Sequence, residues 1–386
     1  MEGIRQISGA AREWGQQTTV ATLDTPGKPF LEGNPFRAVP LGPGALKYGY
    51  SPKLYPWLRA HAHEFDAVIV NGIWQYSSFA VWRALHGGPV PYFVFPHGML
   101  DPYFKRAFPA KHLKKWLYWP WGEYRVLRDA RAVFFTCEEE RRLARQSFWL
   151  YRCHEEVVGY GTASPPEERE PAIAEFLRSF PQLQGKRILL FLSRIHPKKG
   201  CDLLIEAFAA LRERAPDLHL VIAGPGEEEL VQSLHAQAAR LNVDSQITWV
   251  GMVRGAVKWG ALYAADAFVL PSHQENFGIA VAEALACSTP VLISDKVNIW
   301  REIEAAGAGL VREDTLSGTR ALLRQWIDLP PEQRGIMRQH ARACFEQHFQ
   351  VRQVARRLTV AIERMIEADG GTPASMRERE SADYSG

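Results

Sequence analysis

Glu275 and Glu283 stand eight positions apart in SHQENFGIAVAE (272–283), with Asn276, Phe277 and Gly278 directly after the first. The apolar run ADAFVLPS (265–272) before them reads as a buried strand, and IAVAEALAC (279–287) after them as a helix opening near Gly278. At about 1.5 Å of rise per helical residue, eight positions correspond to roughly 12 Å. Carboxylates that far apart do not share one substrate atom as a catalytic pair does, but they can grip two ends of an elongated ligand. Unpaired amides at the helix start, aided by the helix dipole, favour a phosphate or diphosphate between them. A nucleoside diphosphate sugar has this layout. A capped helix with two solvated glutamates accounts for the spacing as well.

Three other stretches sit where a strand gives way to a loop. SRIHPKKG (193–200) follows the apolar run RILLFLS and carries Arg194 and Lys199 at the end of the strand where open α/β sheets bind ligands. Both cations there can neutralise a diphosphate, Arg as a bidentate fork and Lys as a point charge, and steady negative charge on a leaving phosphate. Alone, the segment is also a plain basic loop. AGPGEEEL (223–230) has two of the glycines of a dinucleotide fingerprint, but Glu229 fills the place of the third, so it reads as a tight turn. In FPHGMLDP (95–102), His97 falls just past a strand, placed to hydrogen-bond a sugar hydroxyl or a developing charge, or to serve structure alone.

FKRAFPAKHLKKWLYWPWGEYRVLR (104–128) interleaves seven lysines and arginines with aromatics and holds one acid, Glu123. That mixture suits a membrane interface, and equally an ordinary helix with its aromatics in the core.

The elements that must position these residues follow from patterning. With 386 residues, 46% of them hydrophobic, the chain is long enough for two domains. Short apolar runs alternate with helical patterns, the mark of an α/β protein with parallel sheets. Strands are expected at 18–23, 66–71, 91–95, 132–136 and 155–159, and again at 187–193, 218–224, 246–251, 267–272 and 290–294. The polar, proline-rich TASPPEEREP (162–171) reads as a linker between domains 1–165 and 166–350; a closing helix is expected at 351–367 and a disordered tail at 368–386. Ile4, Ile7, Ala11 and Trp14 share one helical face, so the chain opens on a helix. No run approaches the roughly 20 apolar residues of a membrane span, and no secretory signal is visible. Five scattered cysteines suit a reducing cytoplasm and argue against disulfides or zinc, and a net charge of +3 is too small to imply nucleic acid.

Together, SRIHPKKG, VIAGPGEE (221–228), ITWVGMV (247–253), the Glu275 to Glu283 segment and PVLISD (290–295) resemble the retaining glycosyltransferases of family 4, the group 1 glycosyltransferases. PHGMLDP and the strand pattern extend the resemblance more loosely over the first half. It implies the GT-B fold, two Rossmann-like domains facing a cleft. It also implies that Arg194 and Lys199 hold the donor diphosphate, Glu283 the ribose hydroxyls and Glu275 the donor sugar. Asn276, Phe277 and Gly278 would offer amides, and Gly251, Met252 and Val253 would border the nucleobase. His97 is similar to the active-site histidine of the family's N-terminal domain. No metal or other cofactor is implied, since the cations neutralise the leaving group.

The resemblance further implies a cytoplasmic enzyme at the inner face of the membrane, transferring sugar from a nucleotide donor to a saccharide or lipid-linked saccharide in bacterial surface polysaccharide assembly. Two departures stand out. The family's N-terminal domain opens with a strand and a glycine-rich loop; here Met1 falls inside the helix that would follow, which implies an upstream native start or an impaired product. VVGYGTASP (157–165) replaces the family's frequent Pro-Asn-Gly turn. A nucleotide-sugar binder without catalysis, or another GT-B enzyme such as a nucleotide-sugar epimerase, are the alternatives.

Overall fold

The computed structural model describes residues 2–211, 213–368 and 370. Two compact units emerge: one from the chain through Tyr160 together with the chain from Val351 onward, the other from Gly161–Gln350. The expected tail lies, apart from residues 368 and 370, outside the described residues.

In the first unit, β3 (Val68–Asn71), β4 (Tyr92–Phe95), β5 (Ala132–Phe135) and β6 (Glu155–Val157) form a parallel sheet in that order. YFVF and AVFF, the sequences of β4 and β5, are buried at every position, as a parallel sheet covered on both faces requires. One face is sealed by a helix distant in sequence, Val351–Glu367, whose Leu358, Ala361 and Met365 pack with Phe93, Phe95 and Phe134. Polar contacts fix its position: Arg131 Nη2 donates to the Met365 carbonyl at 3.1 Å, and Arg364 reaches Glu156 at 3.0 Å.

The first helix spans Glu2–Ala11 and packs with Val351 and Ala355 through Ala10 and Ile7. It stops short of Trp14, which sits in a single 3-10 turn closed by Gly15 and is exposed, so the expected face is one turn too long. A separate parallel pair, β1 (Thr19–Thr22) with β2 (Arg37–Pro40), shares a core with the larger sheet through Leu23, Val39, Leu41, Val68 and Val70. Among the described residues no strand joins the two sheets.

The second unit holds one parallel sheet built of β7 (Arg187–Leu192), β8 (Leu218–Ala223), β9 (Ile247–Gly251), β10 (Ala265–Leu270), β11 (Val291–Ser294) and β12 (Gly309–Arg312). Its order is β12-β11-β10-β7-β8-β9, so chain direction across the sheet reverses between β7 and β10. Helices Arg169–Ser179 and Gly255–Ala264 pack closely, and Gly260 permits it: a Cβ there would lie 2.0 Å from the Ala172 carbonyl oxygen. Within the stretch read as a linker, Tyr263 Oη donates to the Pro166 carbonyl at 2.7 Å and a helix has already begun at Arg169.

Candidate functional site

Ligand sites in open parallel sheets form beyond the strand ends where the order reverses, here between β7 and β10. The segments leaving those two strands are stapled together. Ser272 Oγ and the His273 amide both donate to the Lys198 carbonyl, at 2.9 and 2.7 Å, and Lys198 Nζ donates to Gln274 Oε1 at 3.1 Å. Gly200, at φ 69°, lets the turn lie against Pro271; a Cβ would meet that carbonyl oxygen at 2.3 Å.

The result brings Lys199 onto Glu275. Lys199 is buried, and its ammonium is hydrogen-bonded to Glu275 Oε2. Of the two cations read at this strand end, Arg194 is exposed, with no acid paired to it among the described residues, and Lys199 is engaged with the glutamate. Glu275 is anchored through its own backbone as well: its amide donates to the Lys296 carbonyl at 2.9 Å, and its carbonyl accepts from the Asn298 amide at 3.0 Å. Asn298 Nδ2 also reaches Asn276 Oδ1 at 3.4 Å.

The helix Ile279–Ala286 starts where expected, after Gly278 at φ 79°. Its amides are only partly available. Those of Val281 and Ala282 close on the Gly278 carbonyl, at 2.9 and 3.2 Å, so among the described residues the donors left over at the helix start are those of Gly278, Ile279 and Ala280. Phe277 is buried and meets Phe349 edge to face, which fixes the turn from below. Glu283 is buried and not solvated: Lys258 Nζ, from the helix Gly255–Ala264, lies 2.8 Å from its Oε1. Gly251 ends β9 at φ 63°, with Met252 exposed beyond it and Val253 half-buried.

In the first unit, His97 follows β4 with φ 48°, a left-handed conformation that only a few side chains tolerate. Its Nε2 lies 3.0 Å from Asn71 Oδ1 at the end of β3, its ring stacks on Phe95, and Tyr160 meets it edge-on. Burial pushes the imidazole pKa down to about 4, so it is neutral near pH 7. The next amide, Gly98, donates to Glu140 Oε1, while Glu140 Oε2 accepts from the Thr136 amide at 2.8 Å. One buried carboxylate thus ties the loop after β4 to the loop after β5.

Residues 173–343 match the family described as "Glycosyl transferases group 1", and residues 2–161 match "Glycosyl transferase 4-like domain". The chain belongs to the group 1, family-4 glycosyltransferases. A D-inositol 3-phosphate glycosyltransferase of Saccharomonospora viridis is 32% identical over 235 residues, 57% of this chain and 53% of that protein. The chain spans about half, or less, of the length of the curated relatives it matches. Among solved structures, the sucrose-phosphate synthase of Thermosynechococcus elongatus superposes with a TM-score of 0.75 at 20% identity, over 95% of this chain and 93% of that one. Anabaena HepE, solved with UDP and glucose, gives 0.72 at 17% identity over 94% and 95%. Two Rossmann-like units with parallel sheets are the GT-B fold of these glycosyltransferases.

Within this glycosyltransferase, sequence reasoning missed Lys258, Glu140 and Asn71. Lys258 lies in GAVKWG, with no motif around it, and Glu140 lies in an acidic run that reads as a solvated face. Asn71 at the end of β3 was within reach, since strand ends of this kind carry functional side chains. Among the described residues no cluster of histidine, cysteine and acids suits a metal ion, and all five cysteines are free.

Proposed function

We propose that this chain is a retaining hexosyltransferase that moves a sugar from a nucleoside diphosphate donor to an acceptor hydroxyl without a metal ion. The observation that carries this reading is the pairing of Lys199 with Glu275 at the β7/β10 reversal, with Arg194 exposed beside it in sequence. Arg194 and Lys199 neutralise the diphosphate, helped by the amides of Gly278, Ile279 and Ala280 at the helix start. Glu283, oriented by Lys258, accepts the ribose hydroxyls, Glu275 accepts hydroxyls of the donor sugar, and Gly251 to Val253 border the base. A phosphate arriving at Lys199 competes with Glu275 for the ammonium, freeing carboxylate oxygens for the sugar.

In the reaction the acceptor oxygen bonds to the anomeric carbon on the face from which the diphosphate departs. The bond from that carbon to the phosphate oxygen breaks, and the hydroxyl proton passes to the departing oxygen. Arg194 and Lys199 stabilise the charge that grows there. His97, neutral, positions a hydroxyl by hydrogen bonding and does not act as a cation. The acceptor is a saccharide or lipid-linked saccharide of bacterial surface polysaccharide assembly, in the cytoplasm.

A thermal-shift screen of nucleoside diphosphates and nucleotide sugars tests the donor site, because a ligand at 100 times its Kd stabilises by about 2.7 kcal/mol. A hit is then assayed for transfer, with the anomeric configuration of the product read by NMR. Absence of any stabilising nucleotide overturns the donor assignment. Binding without turnover makes the chain a nucleotide-sugar binder, and an isomerised sugar formed without acceptor makes it an epimerase.

A further inference from the structure

The helix Pro109–Tyr118 of the first unit is built inside out. Its inward side carries His112 and Lys115: the His112 ring stacks on Phe148 at 4.8 Å, and Lys115 Nζ lies over the Trp74 ring at 4.5 Å. Its outward side carries Leu113 and Leu117, 60% and 61% exposed, together with Trp116 at 43%. A helix docked on a water-soluble core normally shows the reverse arrangement, apolar inside and charged outside.

The outward apolar row is not isolated. Phe108 precedes the helix and Trp121 follows it, both exposed, and Trp149 packs against Trp116 with Leu150 exposed beside it. Lys105, Arg106, Lys111 and Lys114 are exposed along the same segment. The one acid between residues 103 and 128, Glu123, is fully buried, accepting from the Trp74 amide at 2.7 Å and Ser78 Oγ at 2.8 Å. A contiguous exposed apolar surface rimmed by one sign of charge marks an interaction site.

We propose that this helix and the flanking Phe108, Trp121, Trp149 and Leu150 dock on the surface of an anionic lipid bilayer. Leucine and tryptophan enter the headgroup boundary, and the four cations meet lipid phosphates. Charge decides among occupants. A second copy seated on this face through a two-fold axis would set the same lysines against one another, while an anionic bilayer offers them counter-charge across its whole plane. The helix lies on the membrane and does not cross it: no helix among the described residues is long and apolar enough to span.

The test is co-sedimentation of the full chain with vesicles of phosphatidylcholine alone and of phosphatidylcholine with phosphatidylglycerol. Binding is expected only to the anionic vesicles, falling as salt rises. Leu113→Glu with Leu117→Glu should reduce partitioning at least about tenfold, and Lys111→Gln with Lys114→Gln about thirtyfold, at two cations near the surface. All four side chains are exposed, so circular dichroism and the melting curve should match wild type. The proposal is overturned if wild type ignores anionic vesicles at low salt, or if both double variants bind as wild type does. It is equally overturned if the leucine variant dissolves a dimer seen by sedimentation velocity without lipid, which would make the face a contact between copies.

Discussion

Lys258 Nζ lies 2.8 Å from Glu283 Oε1, joining the helices Gly255–Ala264 and Ile279–Ala286 through a contact that no sequence motif announces. The glutamate assigned to the ribose is therefore aimed by a cation of its own unit. Replacing Lys258 by Met keeps most of the stem and removes the charge. The expected result is nucleotide diphosphate affinity about tenfold weaker, the scale of losing a charge-assisted hydrogen bond. Calorimetry that finds affinity unchanged in Lys258→Met but reduced in Glu283→Ala would show that Lys258 does not orient the carboxylate.

The Lys199 and Glu275 pair makes a prediction of opposite kind. Glu275→Leu leaves a buried ammonium without its partner and should cost about 1–3 kcal/mol in urea denaturation, whereas adding Lys199→Met should return much of that. Both single variants should lose turnover, with nucleotide affinity falling less in Glu275→Ala than in Glu283→Ala. Additive stability losses in the double variant would mean the two side chains do not interact.

His97 has a folded-state pKa of about 4, below the 6.5 of an open chain. Between those values the unfolded state binds more protons, so this group's contribution to stability is present above pH 6.5 and is lost as pH falls toward 4. Wild type should lose more stability than His97→Gln between pH 7 and pH 5. An imidazole resonance that titrates near 6.5 by NMR would show that the imidazole is not shielded from charging in this way.

Glu123 gives the converse. Burial raises its carboxyl to about 7 from 4.5, so the folded state binds the extra proton and stability falls as pH rises from 4.5 through 7. Glu123→Gln keeps the acceptor for the Trp74 amide and cannot ionise. Relative to wild type it should gain on the order of 2–3 kcal/mol between pH 5 and pH 8. Parallel stability curves for the two proteins would remove the carboxyl as the titrating group.

Strands such as YFVF (β4) and AVFF (β5), buried at every position, were legible because a fully covered parallel strand leaves no alternation to misread. RAVP (β2) and GLVR (β12) were not: each has four residues, one ends in Pro and the other starts with Gly, and both stand at a sheet edge. Of the candidate site, the residues on turns at strand ends could be read, since chemistry and position coincide there. Their partners could not. That Lys199 meets Glu275, or Lys258 meets Glu283, depends on which strands and helices become neighbours, and Glu123 and Glu140 look like surface acids until the core closes around them.

The helix Val351–Glu367 covers Phe93, Phe95 and Phe134, which precede it by more than 200 positions in the chain. On the ribosome, the Gly161–Gln350 unit has its whole sequence before this cover exists, so the part made first is the part finished last. Until then an aromatic sheet face waits for its lid, a natural target for a holding chaperone. A nonsense codon at residue 351 would release a chain with a complete second unit and an unfinished first one, marked for proteolysis by the face it never covered.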